Sequence, residues 1–369
     1  MKRIIINGAN GYIASNFINE LLINNYEVIA LIRKNKSHLP PERMGNALTR
    51  MNEGEYVSFR NLVVLEYILT EENFSMQEEQ LQGIFNQSVD YFHFAASLKY
   101  DINAKDEIFE TNLAGVENSL KIFSKYANKN SRFFFISTAY SCGQITESFK
   151  EEFYENKDIA SFRNYYEQSK RYAENIVRKY IEEQSINGHI LRLSQIVGNN
   201  KTGVTNTDYG IFDFAKRVYS LSNTYPNNIV RICMDSDSTQ NLLPIDTVVM
   251  YLMRVVQIEY LPVIINFVAK NSIKNFHIID NLNKLLPIKL IPVKTLNTVE
   301  MTSWERMISI GMSFTGSYAN TNLIFETKNL EKITEVGTNE VNATTIFWML
   351  DYFLDTLSLK KQNTSLTPS

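Results

Sequence analysis

The stretch YYEQSK at residues 165–170 places a phenol, Tyr166, four positions before an ammonium, Lys170. On a helix that spacing sets the two side chains on one face, about one turn apart. A phenol with a free pKa of about 10 trades protons poorly at neutral pH until a nearby cation stabilises its phenolate. Lys170 has the charge for that task, and the pair could then move a proton to or from a carbonyl oxygen. The competing reading is a charged, solvated helix face. Tyr165 is the adjacent phenol, but only Tyr166 lies four before Lys170.

A partner for such chemistry is written near the amino terminus. IIINGANGYIA places Gly8, Gly11 and Ala14 where a first strand would turn into a first helix. Small residues there let the backbone approach a pyrophosphate, and the amides of Asn10, Gly11, Tyr12 and Ile13 would face it. A tight strand-to-helix turn with a closely packed helix is the plain alternative. The end of the second strand, VIALIRKNKS, offers Arg33 and Lys34 where an NAD-preferring site carries an acid for the ribose hydroxyls. A guanidinium suits a 2′-phosphate, so NADP(H) is expected ahead of NAD(H), with solvated surface charge as the other account.

These residues need a scaffold, and the pattern from residue 3 to about 200 supplies one. Short β-branched or aromatic runs alternate with longer amphipathic stretches, as βαβ units on a parallel sheet require. The expected strands are Arg3–Asn7, Glu27–Ile32, Leu62–Tyr67, Tyr91–Ala95, Arg132–Ser137 and His189–Leu193. Helices are expected over Gly11–Asn24, with Asn10 as cap, and over Asp106–Tyr126 and Asn164–Glu183. The fold class is α/β, a Rossmann-type doubly wound parallel sheet over residues 1–200. Past residue 200 the rhythm shortens, which predicts a smaller mixed substrate lobe over 201–359, with one strand near 276–279 returning to the main sheet. The polar residues 360–369 read as a disordered tail.

Composition narrows the partners. With 369 residues, 44% of them hydrophobic, the chain can bury a sizeable core. A net charge of -3 gives no global basic surface for nucleic acid or anionic membrane. Two distant cysteines and four histidines allow no zinc spacing, so no metal is expected. No apolar run is long enough to span a bilayer. The expected setting is cytoplasmic and reducing. Oligomeric state, dimer included, is left open.

VDYFHFAAS, TNLAGVENSL, FFFISTAYSCG, YYEQSK and LRLSQIVGNNKTG follow one another in the order seen in extended short-chain dehydrogenases/reductases, and the chain resembles them over roughly residues 3–280. STAY, NYYEQSK, GNNKTG and the later NLLPID look like the branch of fatty acyl-CoA reductases and of thioester reductase domains that release products from carrier proteins. Gln240 and Asn241 stand where nucleotide-sugar epimerases and dehydratases usually carry an Arg-Asp pair.

The resemblance implies catalytic roles for Thr138, Tyr166 and Lys170. Thr138 would donate to a developing oxyanion, Tyr166 would exchange the proton, and Lys170 would also hold the nicotinamide ribose, with Tyr166 and Asn112 counted in the cofactor site as well. It further implies that Asn112 kinks a helix and steadies the lysine, and that Ala95 and Ala96 line the ribose path. One departure concerns adenine: Tyr67-Ile68 replaces a usual Gly-Asp, leaving backbone groups of Ile68 as the substitute contact. His93 reads as a satisfied core histidine. Arg192, Lys201 and Asp246 read as structural or solvated charges, and nothing beside Cys142 suggests a thiolate. The function expected is an NADPH-dependent reductase that takes an acyl thioester, on CoA or a separate carrier protein, to an aldehyde or alcohol. The alternatives are an alcohol/ketone dehydrogenase or nucleotide-sugar epimerase/dehydratase, and a non-catalytic dinucleotide-binding protein.

Overall fold

In the computed structural model, which describes residues 3–51, 59–99, 101–184, 186–311 and 317–365, the chain divides into two compact units. The first comprises Met1–Ser194, Val248–Val268 and Phe325–Glu335, and the second Gln195–Thr247, Ala269–Ile324 and Val336–Ser369.

Six strands of the first unit are β1 (Arg3–Asn7), β2 (Glu27–Ile32), β3 (Leu62–Glu66), β4 (Val89–His93), β5 (Arg132–Thr138) and β6 (Gly188–Leu193). With the later strand Ile264–Phe267 they form a seven-stranded sheet in the order Ile264–Phe267, β6, β5, β4, β1, β2, β3. Every pairing is parallel. Helices cover both faces, so strands such as RIIIN and RFFFIST are apolar almost without alternation. Aromatic rings pack between neighbouring strands, Phe92 on Phe134 at 4.5 Å and Tyr91 on Phe133 at 5.3 Å between centroids. This is the doubly wound α/β architecture that the sequence pattern predicts.

From β1 the chain runs outward through β2 and β3, then crosses back to β4 on the other side of β1. The carboxyl ends of β1 and β4 therefore flank the point where ligands bind in open parallel sheets.

Three expectations need correction. The returning strand is Ile264–Phe267; residues 276–279 lie in the helix Asn275–Leu285, whose Ile278, Ile279 and Leu282 form a buried stripe at helical spacing. The fourth strand is Val89–His93 instead of Tyr91–Ala95, because the Ala95 amide leaves the ladder and donates to the Asn7 side chain at 3.0 Å. The final helix, Ala343–Ser365, continues through the first part of the tail read as disordered; residues 366–369 lie outside the described ones.

A buried ion pair ties the sheet together. Arg132 on β5 pairs with Asp90 on β4, and its remaining donors reach the carbonyls of Val255, Val256 and Ile258 at the end of the helix Ile245–Gln257. The cation thus satisfies carbonyls that a helix C-terminus leaves unbonded.

The second unit packs the helices Ile211–Thr224, Asn275–Leu285 and Ala343–Ser365 with the parallel strand pair Ile229–Cys233 and Lys289–Val293. Arg231 on that pair meets the buried Glu305 at 2.7 Å. Asp246 receives the Asn200 amide at 3.0 Å and the Asn339 side chain at 2.8 Å, a structural role filled by amide donors and not by the ion pair expected. No helix among the described residues is long and apolar enough to cross a membrane.

Candidate active site

The glycine turn follows directly from β1. Gly8 has φ +63°, and a Cβ there would lie 2.8 Å from the Ala95 amide nitrogen and 2.9 Å from its Cα. Only glycine accepts both the left-handed backbone and that approach. The Gly11 amide donates to the Gly8 carbonyl at 3.0 Å, and helix α1 (Tyr12–Ile23) begins one residue later. Gly11, not Asn10, occupies the N-cap, and no side chain caps it. Asn10 fails as cap because the turn closes through backbone atoms. The first-turn amides of α1 consequently face outward without a capping carboxamide, which fits a pyrophosphate.

Beneath this turn, Asn7 fixes the switch point. Its Oδ1 accepts from the Ala95 amide, so its Nδ2 must be the atom that meets His93 Nδ1 at 2.9 Å. His93 Nδ1 is therefore an acceptor and the ring proton sits on Nε2. Burial first, then the Lys170 charge, pushes the imidazole down to about 3, so it stays neutral. The expected satisfied core histidine is found at Nδ1; Nε2 is buried with no hydrogen-bond partner of regular geometry among the described residues.

Thr138 closes β5, and Tyr166 and Lys170 occupy the first turns of the helix Tyr165–Gln184. Thr138 and Tyr166 share a side-chain hydrogen bond. Thr138 Oγ1 also donates to the Leu193 carbonyl at 3.2 Å and accepts from the Tyr140 amide at 3.2 Å, so the hydroxyl is held on three sides. Burial raises the Tyr166 phenol above its ordinary value, the Glu167 carboxylate raises it further, and the bond to Thr138 pulls it back. Lys170 is buried, donates to the Ile136 carbonyl at 2.7 Å and lies 4.8 Å above the Phe135 ring. Burial lowers its ammonium to about 7, against a smaller upward pull from Glu174. The phenol is accordingly a protonated acid at neutral pH, and the lysine gives up its proton far more readily than a free ammonium.

Asn112 sits in a single π turn, Glu110–Ala114, between the helices Lys105–Phe109 and Gly115–Tyr126. The wider turn points its carboxamide inward, where it bonds both the Ser97 amide (2.7 Å) and the Ser169 hydroxyl (2.9 Å). It thereby links the segment carrying Ala95 and Ala96 to the residue beside Lys170.

Sequence reasoning missed what steadies this assembly. Glu174, fully buried, bonds Arg171 and Arg192 at 2.7 Å each and receives the hydroxyls of Ser137 (2.5 Å) and Ser141 (2.9 Å). Burial alone would raise its carboxyl, yet the two guanidiniums and these hydrogen bonds hold it at about 2. Arg192 continues to the carbonyls of Lys150 and Glu152. The two serines bracket Thr138, so the network clamps the strand end that presents it. Cys142, in the same turn, is pushed up to about 12 by burial and is no nucleophile.

At the far end of the sheet edge, Arg33 follows β2. The Arg43 guanidinium, from the helix Pro40–Met51, donates to the Arg33 carbonyl, and its pKa is lowered by burial and then by Arg33. Two like charges held together favour an anion between them. Arg43 carried no signal in sequence beyond its place in a charged helix. Lys34 is instead paired with Glu66 at 2.9 Å. Of the Ile68 backbone groups expected as the substitute contact for adenine, the amide already donates to the Phe74 carbonyl at 3.0 Å.

A parallel sheet with a glycine turn at its switch point, and a Thr, Tyr and Lys at the next strand and helix, defines an extended short-chain dehydrogenase/reductase, an NAD(P)-dependent oxidoreductase. The family model described as Male sterility protein, an NAD-binding family, matches residues 6–252, and the chain belongs to that family. No curated protein matches it in sequence. Among solved structures, it is similar to the terminal R domain from the myxalamid PKS-NRPS biosynthetic pathway, with TM-score 0.79 at 15% identity over 96% of this chain and 91% of that one. A thiolation-reductase di-domain from an archaeal non-ribosomal peptide synthetase matches with TM-score 0.74 at 18% identity, covering 97% and 76%. UDP-glucuronic acid 4-epimerase from Bacillus cereus, in complex with NAD, matches with TM-score 0.66 at 15% identity, covering 96% and 98%. At these identities the likeness speaks for the fold alone.

Proposed function

We propose that the protein is an NADPH-dependent reductase that converts an acyl thioester, carried on CoA or on a separate carrier protein, to an aldehyde or, after a second round, an alcohol. The observation that carries the reading is the Thr138–Tyr166 hydrogen bond, which joins a protonated phenol to a fixed hydroxyl at one strand end. Membership of the Male sterility protein family, and likeness to two structures titled as R or thiolation-reductase domains, support the thioester as substrate. Arg33 and Arg43 support the 2′-phosphate form of the cofactor.

When bound, the dinucleotide supplies a hydride to the carbonyl carbon. Thr138 would turn its hydroxyl hydrogen from the Leu193 carbonyl to the substrate oxygen as that oxygen gains negative charge, and Tyr166 delivers its proton there, giving a hemithioacetal. Breaking the carbon–sulfur bond then expels the thiol and leaves the aldehyde. Lys170, one helical turn further on, would supply the proton that restores Tyr166.

The test is to incubate the protein with NADPH and a panel of acyl-CoA and carrier-bound thioesters, following cofactor oxidation and aldehyde formation. Turnover with at least one thioester is expected. Cofactor oxidation by another carbonyl class, with no thioester reacting, refutes the substrate assignment.

A further inference from the structure

Tyr67 is the first residue past β3, yet its hydroxyl accepts the Gly8 amide at 3.2 Å. Because β2 lies between β1 and β3, the phenol must reach across the carboxyl end of β2 to do so. Its backbone stays anchored there, the Tyr67 amide donating to the Ile32 carbonyl at 3.3 Å, one residue before Arg33. The ring is held edge-on by Phe74, with centroids 5.4 Å apart. That bar of side chain underlies the place where this fold receives the adenosine ribose, between the glycine turn and the β2 end. The phenol oxygen accepts here, and among the described residues no acceptor takes its own proton, although the ring is largely buried. Arg33 and Arg43 both act on this phenol electrostatically.

The same edge offers little to the base. An adenine amino group needs an acceptor. The Ile68 side chain is exposed hydrocarbon and offers no acceptor, and its carbonyl already accepts from the Glu71 amide at 3.3 Å, leaving one lone pair in place of a carboxylate. The carboxylate of Glu66 is engaged by Lys34.

Resting on the NADPH reading above, we infer that Tyr67 is a specificity-determining contact to the adenosine ribose phosphate, and that the site recognises its cofactor through that phosphate while leaving the exocyclic amine of the base unread. The base then lies against apolar Ile68, and hypoxanthine serves as well as adenine.

Calorimetric binding to the full chain tests this without turnover. NADP+ and its hypoxanthine analogue are expected to bind within about threefold of each other, since no hydrogen bond to the amine is lost. Tyr67→Phe, which keeps the ring against Phe74, is expected to weaken both by about tenfold, the size of one hydrogen bond to a charged group, and to leave NAD+ within about twofold. Ile68→Asp is expected to restore preference for adenine. A tenfold penalty for the hypoxanthine analogue in the native protein overturns the inference, as does unchanged NADP+ affinity in Tyr67→Phe. NAD+ binding as tightly as NADP+ refutes the NADPH reading itself, and the inference with it; tight NADP+ binding with strong base discrimination refutes the inference alone.

Discussion

Lys170 is buried with a charge that its surroundings resist, and that cost has a measurable sign. Its ammonium falls from 10.5 in the free side chain to about 7 in the fold. Between those values the unfolded chain holds a proton that the folded chain lacks, so stability rises with pH across that window and the full penalty applies below it. Lys170→Met should therefore stabilise the protein most at or below pH 7, by on the order of 1–3 kcal/mol, read as a higher melting temperature, with the gain shrinking as pH approaches 10. Activity should be lost in the same variant. A melting gain that does not vary with pH would show that packing alone is responsible. Tyr166→Phe separates the roles: kcat should drop by about 10²–10⁴ while calorimetric affinity for NADP+ holds. The residue types of this pair were legible in YYEQSK, but its electrostatics were not. Spacing gave the shared helix face, whereas the acidity of a phenol depends on burial and on Glu167, and neither can be weighed before the fold exists.

Elements position these residues through contacts that a sequence renders as ordinary surface charge. Arg171 and Glu174 stand three apart on a helix, which on paper is a solvated i, i+3 pair, yet both are fully buried with Arg192 beneath Thr138's strand. Their burial follows from β6 lying next to β5 with the Tyr165–Gln184 helix packed over both. Glu174→Gln should destabilise the protein by about 3–5 kcal/mol at pH 7 because it leaves two buried guanidiniums short of a counter-charge. The folded pKa of Glu174 is depressed from 4.5 to about 2, so the stability it confers is complete above 4.5 and is lost as pH falls through 2. The gap between native and variant midpoints in urea should accordingly close over that acid window; a gap constant from pH 7 to pH 3 would contradict it. The strands β1, β2, β3, β5 and β6 were legible to within a residue, since parallel strands of a doubly covered sheet are near-continuous apolar runs. The returning strand was misplaced because the stretch around Ile264–Phe267 is short and follows Pro262, while Phe276–Ile279 combines bulky apolar residues in a spacing that suits either period over four positions.

At the scale of the whole molecule, the chain order hides how the first unit is built. Read linearly, the change of rhythm near residue 200 marks a boundary, with a single strand near 276–279 expected to return to the sheet of residues 1–200. The unit in fact takes back Val248–Val268 and Phe325–Glu335. Without the first of these, β6 loses its neighbour Ile264–Phe267 and becomes an open hydrophobic edge. Arg132 loses the carbonyls of Val255, Val256 and Ile258, leaving donors of a buried guanidinium unmet. Without the second, the Glu151 carboxylate loses the Asn329 amide, and the Ile264 carbonyl loses the Asn329 side chain. A fragment of residues 1–200 should therefore aggregate or remain a loosely packed state, with strand and helix signal in far-UV circular dichroism but no cooperative thermal transition and no NADP+-dependent stabilisation. The full chain should instead gain about 2.7 kcal/mol when NADP+ is present at a hundred times its dissociation constant. A fragment that melts cooperatively and is stabilised by NADP+ would show that the glycine turn and its flanking strands organise without the two returning segments, and that the linear boundary was the physical one.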